Sequence, residues 1–401
     1  MSNYRKISND IYWVGASDRR LALFENIHPI PRGVSYNSYL LKDEKNVIFD
    51  AVDWSVCRTF IENVEAILDG DPLNYIVVNH MEPDHGASLE ELLIRWPEAQ
   101  IIASAKAIQM MKQFGFHVEG KTIAVKEKDT MCFGRHTVSF VMAPMVHWPE
   151  VMVTYDETEG ILFSADAFGS FGALDGVLFN DEVDFDKDWL EDARRYYTNI
   201  VGKYGPQVLN LLKKASSLDI KIIAPLHGPV WRSNLEYFIS KYQIWASYTP
   251  EEKGVLIVYA SMYGNTEQAA QILASKLTAN GVKKVAVYDV SKTHVSYLVS
   301  EAFKYSHIVF ASVTYNLEIY PVMLDFMMHL KMLNLNKRTG AIVYNGTWAP
   351  AAGKAMREFL TTSLKNWTVL DKEVKITSAL DDVSNIQIKE LAKAIAEDVN
   401  Q

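Results

Sequence analysis

Between residues 77 and 88 the chain reads VVNHMEPDHGAS, which places His80, Glu82, Asp84 and His85 directly after an apolar run. Two imidazoles and two carboxylates this close are costly to bury unless a cation sits among them. Their types and spacing therefore point to metal binding. In an extended loop residues i, i+2 and i+4 face the same way. His80, Glu82 and Asp84 can then converge on one ion while His85 faces a second. Four side chains do not saturate two ions. Three more residues share the context of apolar strand, polar residue, turn: His147 in SFVMAPMVHWPE, Asp166 ending GILFSAD, and His227 closing IKIIAPLHG. His117, His136, His294, His307 and His329 lack that context and read as surface or hydrogen-bonded histidines.

A second set of residues suits a phosphate. VLIVYASMYGNTEQAA runs from an apolar strand through Ser261, Met262, Tyr263, Gly264, Asn265 and Thr266 into a helical pattern. Hydroxyls and backbone N–H groups at a helix N-terminus bind anions. Neither G-x-G-x-x-G nor G-x-x-x-x-G-K-[ST] is present, and the loop has no Lys, so hydrogen bonds must hold the phosphate. Two later loops also follow apolar strands: SVTYN, with Thr314, Tyr315 and Asn316, and NGTWAPA, with Asn345, Gly346, Thr347, Trp348 and Ala349.

The elements that must position these residues come in two styles. Before residue 250, runs such as NVIFDA, NYIVVN, AQIIAS, VMVTY and GILFSAD read as strands. Helical patterns, among them SLEELLIRW and one long pattern over 188–215, lie between them. After it, strands and helices alternate as in a parallel doubly wound sheet, whose strand ends line one crevice. The polar stretch WASYTPEEKG, residues 245–254, reads as the linker between domains 1–249 and 254–401.

Composition narrows the class. The 401 residues suffice for two ordinary domains. A formal net charge of −9 argues against nucleic acid as the main partner. Cys57 and Cys132 form no C-x-x-C pair, which excludes a built-in four-cysteine iron site and favours a reduced cytoplasm. The N-terminus has no cleavage signature, and no apolar run is long enough to span a membrane.

HMEPDH, with PMVHWPE, SADAFG and APLHGPVW downstream, resembles the metallo-β-lactamase fold and, within it, the flavodiiron proteins. SMYGNT resembles the phosphate loop of flavodoxins, which hold flavin mononucleotide (FMN). The common hydrolase motif, H-x-H-x-D-H, has His where Glu82 stands and normally binds zinc. Here Glu82, Asp84 and Asp166 make three carboxylates. Two divalent ions bring four positive charges, and the one left over is cancelled by a bridging hydroxide. Oxygen ligands alongside imidazole suit iron better than zinc.

The resemblance implies an α/β chain: an αββα metallo-β-lactamase-like sandwich followed by a flavodoxin-like sheet. It implies one iron on His80, Glu82 and His147, another on Asp84, His85 and His227, and Asp166 bridging them. Tyr197 would lie near the irons with its hydroxyl available to a bound oxygen species, and His28 and Trp148 are similar cases. Tyr315 and Trp348 would flank the flavin ring, although Pro350 stands in a loop that is Gly-rich in many relatives. The implied activity is reduction of dioxygen to water, of nitric oxide to nitrous oxide, or both. Electrons would come through FMN from a donor protein such as rubredoxin, or a reductase. The implied assembly is a head-to-tail homodimer or a dimer of dimers. A zinc hydrolase with an accessory flavodoxin domain is the alternative; it leaves Glu82 and the flavodoxin-like half without a task.

Overall fold

The structure, a computed structural model, describes residues 2–400. They form two compact units. One holds the chain up to Tyr197 together with Pro206–Gln243; the other holds Thr198–Gly205 and the chain from Ile244 onward.

The first unit stacks two sheets. Strands Tyr39–Leu41, Val47–Phe49, Tyr75–Val78 and Gln100–Ser104 are neighbours in a seven-stranded sheet. Strands Thr137–Met142, Met152–Asp156, Ile161–Phe163 and Ile222–Ala224 lie in a five-stranded one. The inner faces meet in an apolar core where Phe49 stacks on Phe163 at 3.8 Å between ring centres. Burying each such ring contributes about 1.5–3 kcal/mol. Amphipathic helices cover the outside: Cys57–Leu68 buries Phe60, Ile61, Val64, Ile67 and Leu68, a single helical stripe.

Parallel pairing decides where the functional residues go. Ile161–Phe163 and Ile222–Ala224 run parallel with Phe163 opposite Ala224, so Asp166 and His227 each lie three residues beyond matched strand ends. Strand Tyr75–Val78 runs parallel to both its neighbours and ends two residues before His80.

The second unit carries a parallel sheet in the order Val285–Asp289, Glu252–Ala260, Tyr305–Tyr315, Arg338–Asn345, Trp367–Ile376. This is the doubly wound order of flavodoxins, with its switch point between the first and third strands in sequence. Strand Glu252–Ala260 is buried from Val255 onward, and helices Asn265–Ala279 and Asp382–Val399 pack on the sheet.

Two expectations need correction. The long helical pattern over 188–215 is broken: an α-helix at Leu190–Tyr196 passes into a π-helical turn at Tyr197–Val201, then a 3-10 turn, then helix Gly205–Ala215. The stretch 245–254 is not a free linker. Trp245 and Ala246 end helix Leu235–Ala246, and Glu252–Gly254 begin a strand. Between them Tyr248 is buried, and its carbonyl accepts from Arg338 Nη1 (2.7 Å). Arg338 is itself buried and donates further to the carbonyls of Ala302 and Phe303. No helix among the described residues is long and apolar enough to cross a membrane.

Candidate metal centre and cofactor cleft

The seven residues expected to bind metal come together in two groups. His80, Glu82, His147 and Asp166 form one; Asp84, His85 and His227 form the other. In the first, Glu82 Oε2 lies 3.2 Å from His80 Nε2 and 3.1 Å from His147 Nε2. In the second, Asp84 Oδ2 lies 3.2 Å from His85 Nε2 and 3.3 Å from His227 Nε2. Asp166 spans them: Oδ2 is 3.2 Å from His80 and 3.1 Å from His147, while Oδ1 is 3.3 Å from His85.

Asp84 does not converge with His80 and Glu82, as an extended loop would have it. The chain turns into a short helix at Pro83–Gly86, whose rotation carries Asp84 and His85 together to the second group.

The donor set fits two cations. Both oxygens of Asp84 and Oδ1 of Asp166 are buried without a formed hydrogen bond among the described residues. Nε2 of His85 and Nε2 of His227 face each other at 3.0 Å, an arrangement that suits a shared ion. Burial disfavours every charge here, and only mutual attraction sustains them. His85 and His227 hold Asp84 below the usual carboxylate range. Burial would strip His85 of a proton, yet Asp84 and Asp166 push it up to about 10. His147 likewise rises to about 9 beside Asp166 and Glu82. A pair of divalent ions resolves this crowding.

The second unit has a cleft of about 520 Å³ at its switch point. The first loop lines it with Ser261, Met262, Tyr263, Asn265 and Thr266. Gly264 does not line it; at φ +92 it makes the turn into helix Asn265–Ala279. Thr314 and Asn316 line the cleft from the second loop; Asn345, Gly346, Thr347, Trp348 and Ala349 from the third. Trp348 stands at the rim with 88% of its surface exposed.

Tyr315 is not in the cleft. Strand Tyr305–Tyr315 folds back through Asn316 and Leu317 so that Thr314 pairs with Ile319 and Tyr315 with Glu318. Alternation then turns Thr314 inward and Tyr315 outward, against Tyr320. The residue carried over the cleft is Leu317, which sequence reasoning missed. Ser378 was missed too; it reaches the cleft from beyond the last strand and hydrogen-bonds Thr347 (2.9 Å).

The comparisons agree with this architecture. Residues 34–228 match the family described as ODP family beta lactamase, and residues 257–364 match Flavodoxin. The chain is 34% identical to the anaerobic nitric oxide reductase flavorubredoxin of Klebsiella pneumoniae, over 86% of this chain and 72% of that one. It superimposes on rubredoxin oxygen:oxidoreductase of Desulfovibrio gigas with a TM-score of 0.93 at 27% identity, covering 99% of each chain. A flavo di-iron protein variant from Thermotoga maritima gives a TM-score of 0.91 at 27% identity, covering 100% of this chain and 99% of that one. The chain belongs to the flavodiiron protein family.

As a flavodiiron protein it is an oxidoreductase, and neighbours of its two candidate cofactor sites were missed in the sequence. The tyrosine at the cluster is Tyr196, not Tyr197. Tyr197 opens the π turn and packs on Tyr242 (4.9 Å between ring centres). Tyr196 packs on His227 (5.4 Å), and its buried hydroxyl has no hydrogen-bond partner among the described residues. Gly169 makes room for it: a Cβ there would meet the Tyr196 ring at 2.7 Å. Trp148 does lie against His80 (5.4 Å), whereas His28 tilts on Phe171. Phe24, on a hairpin of strands Leu23–Phe24 and His28–Pro29, packs on His227 (5.3 Å). On that hairpin Glu25 has its carboxyl pushed up to about 8 by partial burial and by the charge of Glu82. Asp50 accepts from the backbone and side chain of Asn79 (both 2.7 Å) and from the His80 N–H (3.2 Å), pinning the strand end. Glu150 accepts from His80 Nδ1 (2.7 Å).

Proposed function

We propose that this protein takes electrons from a separate donor protein, passes them through FMN in the cleft to two iron ions in the cluster, and there reduces dioxygen to water, nitric oxide to nitrous oxide, or both. The observation that carries the reading is Asp166, whose two oxygens serve two imidazole–carboxylate groups of equal make-up. His80, Glu82 and His147 hold one ion, Asp84, His85 and His227 the other, with Asp166 between them. The names of the relatives support the substrates: one is a nitric oxide reductase, another a rubredoxin oxygen:oxidoreductase. A small protein such as rubredoxin, or a reductase, is the donor.

Bound iron would supply electrons and an open position for a diatomic gas, and bound flavin would pass electrons singly. The chain does the rest. Phe24 and Trp148 keep bulk water from the cluster, and the Tyr196 hydroxyl donates a hydrogen bond to an oxygen atom of the substrate. Ser261, Thr266 and the helix N-terminus bind the flavin phosphate without a Lys. Trp348 flanks the ring. Paired head to tail, as a homodimer or a dimer of dimers, one chain's flavin serves the other chain's irons.

The test is metal and flavin analysis of the purified protein, followed by anaerobic mixing of the reduced protein with each gas. Two irons and one FMN per chain are expected, with rapid flavin reoxidation by at least one gas. Zinc in place of iron, or a reduced flavin indifferent to both gases, overturns the reading.

A further inference from the structure

The two metal groups match in their direct ligands: each has two imidazoles and one carboxylate of its own, and they share Asp166. What stands behind the imidazoles differs. His80 Nδ1 donates to Glu150 Oε1 at 2.7 Å, and both side chains are fully buried. The same oxygen accepts from the Met81 N–H (3.0 Å), and the Glu150 carbonyl accepts from Ser104 Oγ (2.9 Å), so Glu150 is fixed in place. In the second group, His227 Nδ1 donates only to the neutral Ser35 carbonyl (2.7 Å). His85 Nδ1 is buried with no hydrogen-bond partner among the described residues. Asp50, the other buried carboxylate nearby, acts on His85 only through space: it accepts from Asn79 twice and from the His80 N–H, which offset its charge, and from no imidazole nitrogen. A carboxylate behind a ligating histidine makes the ring a stronger electron donor. In a dry site its charge also favours the more highly charged metal ion.

We propose that Glu150 makes the two iron positions inequivalent, so that the first electron to leave the di-ferrous centre leaves the ion held by His80, Glu82 and His147. Glu150 touches neither substrate nor metal and is a positioning residue. The inference rests on the di-iron reading above.

The test compares wild type with Glu150→Gln, both as the full chain loaded with iron and FMN. Redox titration followed by the EPR signal of the half-oxidised centre gives the two iron potentials. In the variant the lower potential should rise and the higher should stay. The equilibrium constant for forming the half-oxidised state should fall at least tenfold, about 59 mV for a one-electron couple. Unchanged potentials in a fully loaded variant overturn the proposal, as does a shift of the higher potential alone. If Glu150→Gln loses iron, Glu150→Asp keeps the charge and is titrated instead. A rise of the lower potential alone, from the weakened hydrogen bond to His80 Nδ1, supports the proposal; unchanged potentials, or iron loss in both variants, mark Glu150 as merely structural and overturn it. A wild type without two irons would defeat the functional reading itself, a separate outcome seen before any variant is made.

Discussion

Replacing Glu82 by His would restore the hydrolase-like motif and lower the carboxylate count from three to two. Iron retention should weaken, zinc should take its place, and gas reduction should collapse while flavin reduction stays intact. Full turnover with iron in Glu82→His would defeat the charge argument. A second expectation concerns protons. In the metal-free protein His85 and His147, at about 10 and about 9, keep their protons at neutral pH. Metal binds only the unprotonated nitrogen, so uptake must expel protons. Affinity should rise as pH climbs towards those values and level off above them. Calorimetry of metal binding in buffers of different ionisation heat reads this directly, and a heat that ignores the buffer would sink it. All seven candidate ligands were legible in the sequence because each follows an apolar strand. Tyr196 was not: neighbours in a YY pair look alike, and only the helix phase decides which one faces the cluster. Glu150 reads as an ordinary loop acid until folding brings it behind His80, 70 residues away in sequence.

At the scale of elements, the strands and the βα alternation could be read from apolar runs because the large sheets bury apolar faces. The break at Tyr197–Val201 could not, since a π turn keeps a helical pattern of residues. The Tyr315 error has a similar origin: a two-residue turn at Asn316 and Leu317, both with positive φ, fixes the alternation that turns the ring away. The phosphate loop was legible because it joins strand Glu252–Ala260 to helix Asn265–Ala279. Thr266 is 2% exposed and lines the cleft. Thr266→Ala should remove one hydrogen bond to a charged group, roughly 1.5–3 kcal/mol. Titration of flavin-free protein with FMN should then show affinity reduced about ten- to a hundredfold; an unchanged Kd would place the phosphate elsewhere.

For the whole molecule, the proposed head-to-tail pairing makes a prediction that neither unit makes alone. A variant without iron (His80→Ala with His147→Ala) and one without flavin (residues 261–266 replaced) should each be inactive. Co-expressed, they form hybrid dimers with one intact flavin-to-iron pair, and gas reduction should return. Verified hybrids that stay inactive would mean that electrons remain within a chain. Arg338 bears on how the protein can be divided. Its buried guanidinium donates to backbone carbonyls, and one of those carbonyls belongs to Tyr248. The Tyr248 hydroxyl in turn donates to the Gly202 carbonyl (3.0 Å). A flavodoxin-like fragment cut at Gly254, where the sequence invites the scissors, would keep the cation and lose an acceptor. By urea melting, with FMN bound, it should be about 1–3 kcal/mol less stable than one begun at Ile244. Equal midpoints would show that water replaces the lost carbonyl.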